Sequence, residues 1–179
     1  TDIIAKERYV SKEFMDLEVE NIWKKVWLMG GPLLDLQNPG DYITTEILGE
    51  PILISMGDDN KIRAFYNVCQ HRGNRLVHSI KGNNSEHSCS FHGWRYNSNG
   101  ELKFAPDEET FPQGIPCDKL KLKELPCDTA IGFVWFSLNK DVEPLEEYLG
   151  IINEHLNPYH FERQFIVNDV TVEMPYNWK

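Results

Sequence analysis

With 179 residues the chain is long enough for one cored domain plus extra elements, and it should fold without disulfide staples. Eighteen Lys and Arg against 28 Asp and Glu give a formal net charge of −10, which excludes an extended nucleic-acid surface and suits basic partners. Thr1 to Glu20 is charged throughout, and the longest apolar run, Ala130 to Leu138, is far shorter than the ~20 residues of a membrane-spanning helix. The expectation is a cytoplasmic protein without a membrane anchor.

Ser11 is placed to cap a helix from Lys12 to about Trp27, with Phe14, Leu17, Val19, Ile22, Trp23 and Val26 as an approximate apolar stripe and Gly30-Gly31-Pro32 as its stop. From Asp41 the character becomes β-rich. Tyr42 to Leu48, Pro51 to Met56 and Lys61 to Val68 read as strands, with Gly57 to Asn60 as a hairpin turn. Further strands are predicted around Glu86 to Cys89, Trp94 to Tyr96, Leu102 to Phe104, Leu120 to Leu125 and Ile131 to Leu138, with a turn at Asn97 to Gly100. Leu145 to Leu149 and Ile151 to His155 read as helical, and Phe165 to Met174 as extended. The fold class is mainly β: an antiparallel β-sandwich with flanking N- and C-terminal helices.

The chemistry lies in two short loops, Cys69-Gln70-His71 and Cys89-Ser90-Phe91-His92, each after a predicted β segment and separated by seventeen residues. Any one of these side chains alone would more often be packed or solvated than bound to metal. Four in this order and grouping are not coincidence. Two thiolates and two imidazoles hold either a tetrahedral zinc or a [2Fe–2S] cluster in which two histidines replace two cysteines on one iron. Finger-type zinc sites group Cys with Cys and His with His, whereas each loop here supplies one of each. That mixture lets both cysteines reach one iron and both histidines the other. Gly73 and Gly93 allow tight turns and a close approach of backbone N–H groups to the cluster sulfurs, and Trp94 and Tyr96 are candidates for shielding it from water.

The stretches Phe65 to Gly73 and Cys89 to Tyr96 resemble the Rieske domain of the Rieske non-haem iron oxygenases, the ring-hydroxylating dioxygenase α-subunit family with its related monooxygenases. The likeness extends to Ile22-Trp23 and Trp27, and to Gly132 to Phe136. It implies Cys69, His71, Cys89 and His92 as cluster ligands. It also implies a reductase or ferredoxin as electron donor, and a mononuclear Fe(II) that hydroxylates an organic, typically aromatic, substrate. Respiratory members of the wider family carry a further cysteine in each loop. Here Asn74 and Phe91 stand at those positions, which favours the oxygenase branch and implies fewer polar contacts and a low reduction potential.

The resemblance further implies three parts. Residues 1–40 form a helical segment that packs on a catalytic domain, 41–140 form the Rieske domain, and 141–179 lead into that catalytic domain, beginning near Tyr176 to Lys179. The parent protein is expected to be a trimer-like homo-oligomer. The catalytic iron site is expected outside these residues: His155 and His160 have a suitable spacing, but Ile152 stands where the family places an aspartate and Pro158 interrupts the helix. A free-standing Rieske ferredoxin-type electron carrier is the alternative. Cys117 and Cys127 read as small buried hydrophobes, His78 and His87 as exposed, and Asp107 to Glu109 as a solvated loop.

Overall fold

The structure is a computed structural model that describes residues 4–106, 109, 111–115, 119–167 and 170–174. Two short helices, Glu7–Val10 (α1) and Lys12–Glu18 (α2), and a π-helical turn at Val19–Trp23 lead into the first strand, Trp27–Pro32 (β1). Then come Asp41–Ile47 (β2), Glu50–Met56 (β3), Ile62–Tyr66 (β4), Lys81–Asn83 (β5), Glu86–Ser88 (β6), Arg95–Asn97 (β7) and Leu102–Phe104 (β8). Glu124–Leu125 (β9), Cys127–Ala130 (β10) and Phe133–Ser137 (β11) complete the sheets, and Leu145–Leu149 (α3) and Ile151–Leu156 (α4) follow.

Among the described residues the strand pairs are all antiparallel, in three sheets ordered β1-β11-β10, β5-β2-β3-β4-β9 and β6-β7-β8. The five-stranded sheet is the middle layer because both its faces are apolar. Side chains alternate across a strand, so Ile52 and Ile54 of β3 face one way and Leu53 the other, and all three are fully buried. With Ile43 and Ala64, Ile52 and Ile54 pack against Val134 and Phe136. On the opposite face Tyr42, Leu53 and Phe65 pack with Trp94, Tyr96 and the two loop cysteines. The expected antiparallel β architecture with flanking helices is what the chain forms.

The first helix is shorter than its sequence implies. Ser11 does cap α2, accepting the Phe14 N–H at 3.2 Å, but the helical turns end by Lys24 and Trp27–Pro32 is a strand. Leu17 and Ile22 are exposed, so the apolar residues form no single inward stripe. Pairing with β11 instead buries Trp27 and Leu28, and the Trp27 indole N–H donates to the Glu143 carbonyl at 2.8 Å. Gly30 is no helix stop: a Cβ there would lie 2.3 Å from Ile54 Cδ1, so it lets β1 approach the middle sheet. The run from Ile131 is also divided. Ile131 and Gly132 both take positive φ, turning β10 into β11, and β5 and β10 carry little apolar pattern in the sequence. Only Glu124–Leu125 of Leu120 to Leu125 joins a sheet. Among the described residues of Phe165 to Met174 no strand pairing forms.

Candidate metal centre

The two loops share one hydrogen-bond frame. Cys69 N–H donates to the Asn74 carbonyl (2.8 Å) and Gly73 N–H to the Cys69 carbonyl (3.0 Å). In the second loop Cys89 N–H donates to Trp94 (2.8 Å) and Gly93 N–H to Cys89 (2.9 Å). Each frame needs a left-handed residue four places after the cysteine, and Gly73 and Gly93 supply φ of 75° and 70°. The N–H groups of the glycines themselves close the loops onto carbonyls. The N–H groups that reach sulfur are those of His71 at Cys69, and of Phe91 and His92 at Cys89.

Both sulfurs lie at the buried end of the site, Cys69 being 1% and Cys89 3% exposed. The Tyr96 hydroxyl accepts the Gln70 N–H at 3.0 Å, which leaves its own proton for Cys69 Sγ at 3.5 Å. Asn74 Nδ2 donates to Cys89 Sγ at 3.7 Å. The Tyr96 and Asn74 side chains thus each place a polar contact on a sulfur. Burial pushes the Cys69 thiol above its ordinary value. At Cys89 burial also pushes upward, but the Phe91 and His92 N–H groups, with Cys69 and Asn74, outweigh it and bring that thiol below the ordinary value.

The imidazoles lie at the outer end. His71 and His92 are half-buried, with ring centroids 4.6 Å apart. Trp94, itself buried, stacks on His71 at 4.8 Å with 9° between the planes, and the exposed Phe91 ring lies 3.8 Å from His92. Nδ1 of His71 is buried without a hydrogen-bond partner. Burial, with His92 and Arg72 nearby, lowers the His71 pKa and favours the neutral imidazole that metal binding requires. An orphaned nitrogen at one end and two donor-supplied sulfurs at the other fit a binuclear group held by mixed ligands. Among the described residues, no three His, Cys, Asp or Glu side chains converge on a point that would hold a single ion.

Asn67 holds the return limb of the first loop, and sequence reasoning missed it. It is 1% exposed; its Nδ2 donates to the Val77 carbonyl at 2.7 Å and its Oδ1 accepts the Val77 N–H at 2.9 Å. An amide within the apolar run Ala64 to Val68 was the available signal. His87 also departs from expectation. It is buried against Tyr42 with ring centroids 5.1 Å apart, both ring nitrogens lack partners, and burial pushes its pKa down to about 4. His87 faces inward because β6 pairs it with Tyr96. His78, His155 and His160 are exposed, Cys127 packs at the edge of the aliphatic core, and Glu109 is exposed. Cys117, Asp107 and Glu108 lie outside the described residues.

A β domain that presents duplicated Cys–His loops, with thiols inward and imidazoles outward, is a scaffold for a mixed-ligand iron–sulfur cluster. The chain belongs to the Rieske [2Fe-2S] domain family, which residues 26–126 match. It is 30% identical over 173 residues, 96% of its length, to the oxygenase subunit of glycine betaine monooxygenase from Pseudomonas aeruginosa, covering 39% of that protein. The large oxygenase component of the naphthalene 1,2-dioxygenase system from Ralstonia sp is 36% identical over 149 residues, 82% of this chain and 33% of that one. Among solved structures, naphthalene 1,2-dioxygenase with indole bound aligns with a TM-score of 0.78 at 34% identity, over 83% of this chain and 34% of that one. An apo quaternary ammonium Rieske monooxygenase aligns with a TM-score of 0.81 at 30% identity, over 87% and 45%. The chain thus spans 39% and 33% of the lengths of those two curated relatives. No described helix is long and apolar enough to cross a membrane.

Proposed function

We propose that Cys69, His71, Cys89 and His92 are the ligands of the [2Fe–2S] cluster and that the chain is the electron-relay domain of a terminal oxygenase. In this reading it takes electrons from a reductase or ferredoxin and passes them to a mononuclear iron in a catalytic domain outside these residues. The pairing of the donors carries the reading: two sulfurs share a buried end and two imidazoles a half-exposed one, with Nδ1 of His71 unsatisfied. When bound, the cluster supplies a reversible one-electron store. The chain's residues keep water from the sulfurs through Tyr96 and Trp94, supply N–H donors to them, and leave the imidazoles near the surface where a partner can approach. Of the expected 1–40 segment, Trp27–Pro32 pairs with β11 within the β domain, so the part before Trp27, together with 141–179, is proposed to pack on the catalytic domain, in a trimer-like cytoplasmic assembly. The relatives' names include an aromatic hydrocarbon and a quaternary amine as substrates, and a substrate within that range is proposed here.

Iron and sulfide analysis with EPR of the reduced protein tests the cluster, and two irons, two sulfides and a Rieske signal are expected. A zinc-loaded, iron-free protein from iron-replete cells would refute it. Supplying the chain with reductase, O₂ and naphthalene or glycine betaine tests the division of labour, and turnover by the chain alone would overturn it.

A further inference from the structure

Each loop's frame closes on the fifth residue after its cysteine: Asn74 in the first and Trp94 in the second. The backbone of each serves its own loop, and the side chain of each crosses to the other. Trp94 stacks on His71 of the first loop, and Asn74 donates to Cys89 of the second. The two Nδ2 hydrogens of Asn74 have separate tasks. One is held by the Arg75 carbonyl at 2.9 Å, which fixes the amide plane, and the other points at Cys89 Sγ at 3.7 Å. Both partners are acceptors, so the network requires nitrogen, not oxygen, on this side of the amide. Through its carbonyl Asn74 also accepts the Cys69 N–H, so this one residue touches both cysteines.

We infer that Asn74 is a positioning residue that ties the two loops together and sets the electron affinity of the centre through the Cys89 sulfur. The inference rests on the ligand set proposed above. A donor on a ligating sulfur withdraws electron density and favours the reduced state. Leucine at this position removes the donor and the inter-loop tie. Aspartate keeps the shape but turns the donor into an acceptor and adds a negative charge.

The experiment uses the chain with its cluster, comparing wild type, Asn74→Leu and Asn74→Asp by EPR-monitored redox titration and by the rate of iron release to a chelator. Asn84→Asp, which adds the same charge at an exposed turn, is the control. Asn74→Leu should lower the equilibrium constant for one-electron reduction about tenfold, ~59 mV for a one-electron couple, and should release iron faster. Asn74→Asp should lower the constant further, and Asn84→Asp should leave it near the wild-type value. A wild-type potential in both Asn74 variants would overturn the inference, as would an equal shift from Asn84→Asp. Should the leucine variant hold no cluster, the isosteric aspartate variant decides by the same potential. A wild-type chain that binds no cluster would instead overturn the ligand set itself, so the two failures are distinguishable.

Discussion

The two faces of the middle sheet are made of different chemistry. Toward β1-β11-β10 the sheet packs Ile43, Ile52, Ile54 and Ala64 against Val134 and Phe136, a largely aliphatic core. Toward the loops it packs Tyr42, Leu53 and Phe65 against Trp94 and Tyr96, with Asn67 and His87 buried alongside. The buried aliphatic side chains of that face contribute stability. The loop face gives up some apolar packing for groups of fixed direction: an amide clamp, a hydroxyl on sulfur and an indole on imidazole. Fold strength and site geometry are thus built on opposite sides of the same strands.

The largest effect should come from the loop face. Under the proposed ligand set, Cys69→Ser or Cys89→Ser abolishes the cluster, while Cys127→Ala, on the aliphatic side, retains it. Visible absorbance and iron content check this, and cluster loss in the alanine variant would erase the contrast between the faces. Next is Asn67→Leu, which leaves the buried Val77 N–H and carbonyl unpaired at about 1–3 kcal/mol each. Denaturant unfolding should show that loss, and the folded variant should also release iron faster than wild type.

Ile54→Ala sharpens the comparison from the other side. Truncating this fully buried side chain should cost about 2–5 kcal/mol while leaving the potential and EPR spectrum of the folded protein unchanged. A shifted potential would show that the faces are coupled. The smallest effect concerns Cys127, whose thiol burial, with Asp128 and Glu124 beside it, pushes up to about 12 from an ordinary 9.0. Between those values the folded state holds a proton that the unfolded chain has released. Stability from this group is therefore complete below the unfolded pKa and is lost as pH rises through the window. The melting-temperature difference between wild type and Cys127→Ala should change above pH 9, and a constant difference would refute the assignment.

The motif residues and the central hairpins were legible in the sequence because their signals are local. Cysteine–histidine spacing, β-branched runs and the turns at Gly57 to Asn60 and Asn97 to Gly100 need no knowledge of distant partners. β1 was hidden because Trp27 to Pro32 becomes a strand only by pairing with β11, a hundred residues away, and its glycines read as breakers until Ile54 is seen beneath Gly30. The partners of the residues that support the site were hidden for the same reason. Asn67 faces Val77, Asn74 faces Cys89 and Trp94 faces His71, and each partner lies too far along the chain for any periodicity to show it.

The pairing of β1 with β11 has a topological consequence. The polypeptide enters the β domain on one strand and leaves it on the neighbouring one, and Ser137 Oγ, donating to the Val26 carbonyl at 3.0 Å, ties the two openings together. Such a domain is a closed loop of chain with its mouth sewn shut. It can be carried within a longer polypeptide as a cassette, because its entry and exit lie side by side.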